Sequence, residues 1–244
     1  MKNSNSLRQS HLYIGYIENP LDQMRALLDL LRGKLVAGQI NGAFGLIGVG
    51  DIRGAFDEVS KVKGFDNSSK TRAALLSNEI VIKRGLIKKQ HLHPELQHLL
   101  NQPRQVSKIV GCRAHLRYPI DDVQAASIPA QMKSLNSQTS LYELQVFDPT
   151  GHGSIMRLVS ILTATGKKYP FVTSLNRSGE GNTKSEEEAI ALLVETGVVT
   201  TFLREKYPAS PDPYPIIHIG TGQIVRFVRN ANEVLTSLKA LSVV

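Results

Sequence analysis

Tryptophan is absent from this chain, and cysteine occurs once, as Cys112. A single cysteine cannot close an internal disulfide, so the expected location is cytoplasmic. Aromatic residues make up 6% of the sequence, which leaves few platforms on which single-stranded bases would stack. No run of about 18 apolar residues exists, so no membrane-spanning helix and no membrane partner are expected. The opening residues, MKNSNSLRQS, lack the apolar core of a signal peptide. What remains is an ordinary apolar share of 41% in 244 residues, with a formal net charge of +8. That length suffices for one large domain or two small ones. The positive balance suits an anionic partner such as a nucleotide or RNA, or else serves solubility alone.

Periodicity divides the chain into alternating elements. Residues 1–19 read as an N-terminal lead-in, within which HLYIGYI can add an edge strand, and residues 20–244 read as one domain. PLDQMRALLDLLRGK is a helix with Pro20 in its first turn and Gly33 at its end. LVAGQI and AFGLIGV are short extended segments around the turn-forming pair Asn41-Gly42. IRGAFDEVSKVKGF is a second helix that Asp51 can cap and Gly64 ends. EIVIKRGLI, KIVGCRAHLRYPI and SLYELQVFDP read as strands, and HPELQHLLNQ as a short helix. SIMRLVSILTATG is a helix, YPFVTS a buried strand, and KSEEEAIALLVETG the helix after it. YPIIHIG and QIVRFVR form a closing hairpin around Thr221-Gly222, and ANEVLTSLKAL is a last helix. The pattern specifies an α/β fold: one domain, a twisted mixed sheet and flanking helices.

The segment from Thr173 to Glu188 draws the most attention. A buried strand delivers Thr173, Ser174, Asn176, Arg177 and Ser178 to a glycine-containing loop, and a helix starts near Thr183. Strand, small polar loop and helix make a phosphate-binding arrangement, because such residues let backbone N–H groups approach an anion. Thr183 with Glu186, and Ser185 with Glu188, both fit capping-box spacing. The acidic first turn places an anion against Ser174, Asn176 and Arg177 instead of beside Glu186. The same features also describe a surface loop that caps its own helix.

TSLNRSGEGNTKSEEEA resembles the signature of the YrdC-type threonylcarbamoyl-AMP synthases, a T-S-A-N-x-S-G stretch followed by a helix rich in Glu and Ala. The segment from Ala26 to Gly64 resembles the opening of that family, a helix ending in Gly, a strand, P-T-D-T-V-Y-G-L, a helix and K-G-R. YPIIHIGTGQIVRFVRNA resembles its closing S-T-V-V-D-L strand, turn, and strand ending in I-L-R-x-G. The resemblance implies a YrdC-like α/β domain around a wide basic cavity. It implies an activity that converts ATP, threonine and bicarbonate to threonylcarbamoyl-AMP and pyrophosphate, for modification of adenosine 37 of tRNA. ATP with Mg2+ is the implied cofactor set, and a nucleotide and tRNA or another structured RNA are the implied partners. Carried over by position, the nucleotide and substrate set is Lys63, Lys70, Thr173, Ser174, Asn176, Arg177, Ser178 and Arg229.

Four motifs depart from the family pattern. P-T-D-T becomes Gln39-Ile40-Asn41-Gly42, and K-G-R becomes Lys63-Gly64-Phe65. R-V-P is matched to Gln145-Val146-Phe147, and the serine of S-T-V-V-D-L becomes Tyr214 or Pro215. An arginine that grips phosphate in bidentate fashion is not replaced by phenylalanine without loss. Two readings follow: a divergent nucleotidyltransferase of the threonylcarbamoyl-AMP synthase type, or a non-catalytic YrdC-like module that binds nucleotide or structured RNA. His91, His93 and His98 lie close together, but no cysteine or carboxylate spacing completes a zinc set, so no metal site is expected. The glycines of GLIGVGDIRG miss dinucleotide-fingerprint spacing. Cys112, between apolar neighbours, reads as a core residue.

Overall fold

The computed structural model describes residues 12–40, 42–64, 70–206, 214–228 and 230–241. In chain order the first elements are β1 (Tyr13–Tyr16), α1 (Pro20–Leu31), β2 (Val36–Ile40), β3 (Ala43–Val49), α2 (Ala55–Lys63) and β4 (Ala73–Leu75). Then come α3 (Asn78–Lys83), 3-10 turns at Lys89–His91 and Pro94–Asn101, α4 (Pro103–Val110), β5 (His115–Ile120) and α5 (Asp122–Ala125). After a 3-10 turn at Ala130–Met132 follow β6 (Lys133–Asn136), β7 (Leu141–Phe147), α6 (Gly153–Ala164), β8 (Pro170–Ser174) and α7 (Glu186–Thr196). The last elements are β9 (Thr201–Arg204), β10 (Ile216–His218), β11 (Gln223–Arg226) and α8 (Ala231–Ala240).

The strands form one sheet in the order β1-β9-β2-β3-β8-β4-β7-β5-β10-β11, with β6 added beside β7. The sheet is mixed: β9 runs parallel to β1 and β2, β4 to β7, and β5 to β10, while the remaining pairs are antiparallel. HLYIGYI does contribute an edge strand, β1, which pairs with β9. The α1 helix starts where Asn19 accepts from the Leu21 amide and Pro20 supplies a pre-set φ. Its buried Ala26, Leu27 and Leu30 join a core shared with β2, β3 and β9.

Several elements differ from the sequence reading. EIVIKRGLI is not a strand; its first part is α3. Ser77 caps that helix by accepting from the Ile80 amide at 3.2 Å, and Glu79 pairs with Lys83 one turn on at 2.6 Å. These local signals outweigh the β-branched composition. KIVGCRAHLRYPI divides: its first three residues end α4, and only His115–Ile120 is strand. The break falls at Gly111, where a Cβ would meet the Ser107 carbonyl at 2.7 Å, and at Cys112, which takes a positive φ of 52°. HPELQHLLNQ is a 3-10 helix. Asp51 does not cap α2, whose N-cap is Gly54; its carboxylate accepts instead from the Lys168 and Tyr169 amides at the entry to β8. Cys112 is buried, and burial pushes its thiol up to about 12, so it is an unreactive core residue.

One buried polar node joins the helices behind the sheet. The Asp148 carboxylate accepts from the Asn78 amide (2.6 Å), Asn78 Nδ2 (2.7 Å), Ser107 Oγ (2.7 Å) and the Thr150 amide (2.9 Å). Tyr118 donates to Asn78 Oδ1 at 2.8 Å. The node thereby ties α3, α4 and β5 to the end of β7.

Candidate functional site

Side chains alternate across a sheet, so paired strands stack their i and i+2 residues on one face. In β5, His115 and Arg117 lie opposite Phe147 and Gln145 of β7, and Ile216 of β10 lies opposite both His115 and Arg226 of β11. This places His115, Arg117, Gln145, Phe147, Ile216 and Arg226 on the same side, where they line a cavity of about 280 Å3. The facing wall comes from β3, β4 and β8 and from the loop after β8. Its polar residues are Thr71, just before β4, and Thr173, Ser174, Asn182 and Thr183. Phe44, Phe147 and Tyr214 add apolar surface, and Tyr214 is anchored by its hydroxyl on the Ile40 carbonyl at 2.6 Å. Among the described lining residues, Arg117 and Arg226 are cationic and none is a carboxylate.

The loop after β8 is braced from within. Leu175 N donates to the Phe44 carbonyl at 2.9 Å, and the Thr183 hydroxyl returns to the Leu175 carbonyl. Asn176 Nδ2 closes the loop on the Glu180 carbonyl at 2.7 Å. Ser185, the N-cap of α7, accepts from the Glu188 amide at 3.2 Å, and Glu188 reaches back to the Lys184 amide at 2.9 Å. Lys63, from the end of α2, inserts beneath this loop. Its Nζ donates to the Ser174 carbonyl (2.5 Å), Ser174 Oγ (3.1 Å) and Asn176 Oδ1 (2.7 Å). Its own carbonyl accepts from the Ser178 amide at 3.0 Å.

The structure therefore brings Lys63, Ser174, Asn176 and Ser178 together, and Lys70 joins them through a 3.1 Å bond to Ser178 Oγ. Thr173 and Ser174 line the cavity, with Lys63 and Asn176 behind Ser174. Arg177 pairs with Glu195 of α7. Phe65 and Arg229 lie outside the described residues.

Burial pulls the Lys63 ammonium down from 10.5 to about 7, with Arg72 and Lys70 adding repulsion. A lysine that loses its proton more readily when folded makes stability rise with pH, because the unfolded chain holds more protons across that window. Resistance to urea should therefore increase between about pH 7 and pH 10.5. Lys63→Met should remove that component of the rise. Urea midpoints of both proteins, measured at pH 7 and pH 9.5, check this; parallel changes in the two would show an undepressed lysine.

The opposite wall was not anticipated. Arg117 pairs with Glu143 at 3.4 Å and donates to Gln145 Oε1 at 3.4 Å, while Gln145 Nε2 lies 3.1 Å from His115 Nδ1. Glu143 also accepts from Asn136 Nδ2 (2.6 Å) and from His218 Nε2 (3.0 Å). The second nitrogen of His218 accepts the Gly220 and Thr221 amides, each at 3.1 Å, so its proton resides on Nε2. The bond from His218, then those from Asn136 and the charge of Arg117, hold the Glu143 carboxyl below its ordinary value. Burial, and then the charges of Arg226 and Arg117, push His115 down to about 3, which leaves it neutral at ordinary pH.

Gln145 stands on β7, and the Arg-x-Pro that the family pattern places before a helix occurs on the neighbouring strand as Arg117-Tyr118-Pro119, followed by α5. That motif was the available signal for Arg117. Arg226 lies three residues before the arginine that the sequence singles out.

No family model matches the sequence, and no curated protein is significantly similar to it. Solved structures do match. YciO of E. coli superposes with a TM-score of 0.59 at 12% identity, over 86% of this chain and 90% of its own. Sua5 of P. abyssi complexed with L-threonine gives 0.58 at 16%, over 84% of this chain and 54% of its own. Full-length HypF in its phosphate- and nucleotide-bound form gives 0.54 at 18%, over 81% of this chain and 27% of its own. The chain thus spans little more than half of the Sua5 chain. Its fold is YrdC-like.

Proposed function

We propose that this YrdC-like chain binds a nucleotide in the cavity, with ATP as the ligand and threonylcarbamoyl-AMP synthesis as the associated chemistry. The observation that carries the reading is the make-up of the lining: two arginines share the cavity with serine and threonine residues, and no carboxylate is among the described lining residues. Such a set neutralises phosphate on one side and leaves hydrogen-bonding groups for ribose or carbamate oxygens on the other. Two of the similar structures hold such ligands: Sua5 is complexed with L-threonine, and full-length HypF, 27% of which matches this chain, is in a phosphate- and nucleotide-bound form. Mg2+ would enter on the triphosphate, since this donor set offers no carboxylate to it, and would offset charge on the pyrophosphate leaving group. Within the chain, Arg117 and Arg226 would hold phosphate, Thr173 and Ser174 would orient the nucleotide, and Lys63 would fix the loop that carries Ser174. The positive net charge of +8 also suits a tRNA or other structured RNA as downstream partner.

A second reading, binding without threonine chemistry, is favoured by one feature. Where the family carries P-T-D-T, the Gln39 side chain, at the proline's place, accepts from the Glu205 amide, and the Gly42 amide, at a threonine's place, donates to the Glu205 carboxylate. These groups are occupied by each other.

Calorimetric titration with ATP and Mg2+, with and without threonine and bicarbonate, separates the readings. Affinity that rises with threonine, followed by pyrophosphate release, supports the synthase; ATP binding indifferent to threonine supports the module. No ATP binding would remove both in favour of RNA alone. Ser174→Ala and Asn176→Ala should each weaken ATP binding by about 3- to 10-fold, the worth of one hydrogen bond, with the protein still folded. Unchanged affinity in both would take the loop out of the site.

A further inference from the structure

The cavity contains one group whose protonation is set by its neighbours. Arg117 has only donors to offer, so Gln145 must turn its oxygen to Arg117 and its NH2 to His115. His115 Nδ1 is then an acceptor, and the proton of the neutral ring sits on Nε2. The ring packs against Phe147, at a centroid distance of 4.9 Å, and Tyr214, at 5.7 Å, which also touch each other. His115 lines the cavity, and its Nε2 is not among the buried nitrogens that lack a partner.

We propose that His115 is a tautomer-fixed, uncharged donor. Its Nε2–H joins the guanidinium groups of Arg117 and Arg226 as a set of donors on this wall, which favours a phosphoryl group over a ligand that must itself donate to them. Gln145 is the positioning residue, held by Arg117, which Glu143 holds in turn. The groups facing the ring are Arg117 from its own strand, Gln145 from β7, Arg226 from β11 and the Tyr214 ring, with Glu143 and His218 one step behind. The two cations on the ligand side disfavour a third charge, so the wall keeps its donor pattern as pH changes. The inference rests on the nucleotide reading and narrows it: the phosphates, and not the base, lie against β5.

The test uses the full chain with pyrophosphate and ATP as probes at pH 8. His115→Leu should weaken pyrophosphate binding by about 10-fold or more, the loss of a donor to a charged oxygen. His115→Gln, whose Nε2 can stand in for the ring donor, should stay within about 3-fold of wild type. Gln145→Leu should weaken binding by about 5-fold through loss of tautomer control. In 15N NMR the wild-type His115 ring should show a protonated Nε2 and a bare Nδ1, unchanged from about pH 5 to 8, and Gln145→Leu should mix the two tautomers. A purely structural role would not alter that signature.

If His115→Leu fails to fold, the wild-type spectrum and the His115→Gln affinity decide the matter. Wild-type binding with an unaffected His115→Leu variant, a ring proton on Nδ1, or titration near the usual imidazole value would overturn the assignment and leave the nucleotide reading standing. Wild-type protein that binds neither probe would overturn both.

Discussion

Asp148→Ala is expected to cost roughly 3–5 kcal/mol, because it strands several buried hydrogen-bond donors at once. The carboxylate is fully buried and takes four hydrogen bonds, from both nitrogens of Asn78, the Ser107 hydroxyl and the Thr150 amide. Alanine leaves all four donors without that acceptor, and each buried donor so stranded costs about 1–3 kcal/mol unless water enters. Relative to a total stability of about 5–15 kcal/mol this is a large fraction. The thermal midpoint should drop by about 10 °C or more for a domain of this size. Asp148→Asn keeps one oxygen but turns an NH2 towards donors, so its loss should be intermediate. Because the node contacts Tyr118, whose side chain lies on the other face from Arg117, ligand affinity should survive wherever the protein is still folded. Urea unfolding of the three proteins is the measurement, and a loss below about 1 kcal/mol for alanine would mean that solvent replaces the carboxylate.

What was legible in the sequence follows from how locally each feature is encoded. The α1, α6 and α7 helices carry full apolar periods with stop signals, and β3, β7 and β8 are strongly apolar, so periodicity finds them. β4, β6 and β9 span only three or four residues, too few for a period to register. The α3 helix is rich in β-branched residues, and its identity rests on a serine cap and one ion pair.

The site divides in the same way. The loop with Ser174 and Asn176 is a contiguous motif and was recognised as one. The resemblance points to Lys63 as a ligand residue, but its contact with that loop spans more than a hundred residues and is not written locally. Arg117, His115 and Gln145 meet because β5 pairs with β7 in a single register, and Arg226 arrives through β10 and β11. Alternation along each strand is written locally; which strand lies beside which is not. Gln145, read from the sequence as a lost arginine, is in the fold the residue that links the arginine of the next strand to His115.

The double variant Arg117→Ala, Arg226→Ala should lose ATP binding by about 100-fold or more, since each charged hydrogen bond to phosphate contributes about 1.5–3 kcal/mol. The single variants should each show about 10- to 100-fold, and the salt dependence of binding should flatten as each cation goes. Folding should be spared. Without Arg117, Glu143 still accepts from His218 and Asn136, so no buried carboxylate is left without a partner. Arg117→Lys should behave more like alanine than like wild type: an ammonium has no planar fork with which to hold Gln145 and phosphate together. Removing both guanidinium groups also lifts the two charges that depress His115, leaving burial as the remaining cause. The histidine should then titrate at a higher pH than in the parent, and NMR can follow it without any ligand. A double variant that binds ATP like the parent while its histidine shifts would place both cations beside His115 but leave the nucleotide elsewhere. Weakened binding together with the shift is the result expected if the three donors act on one phosphate.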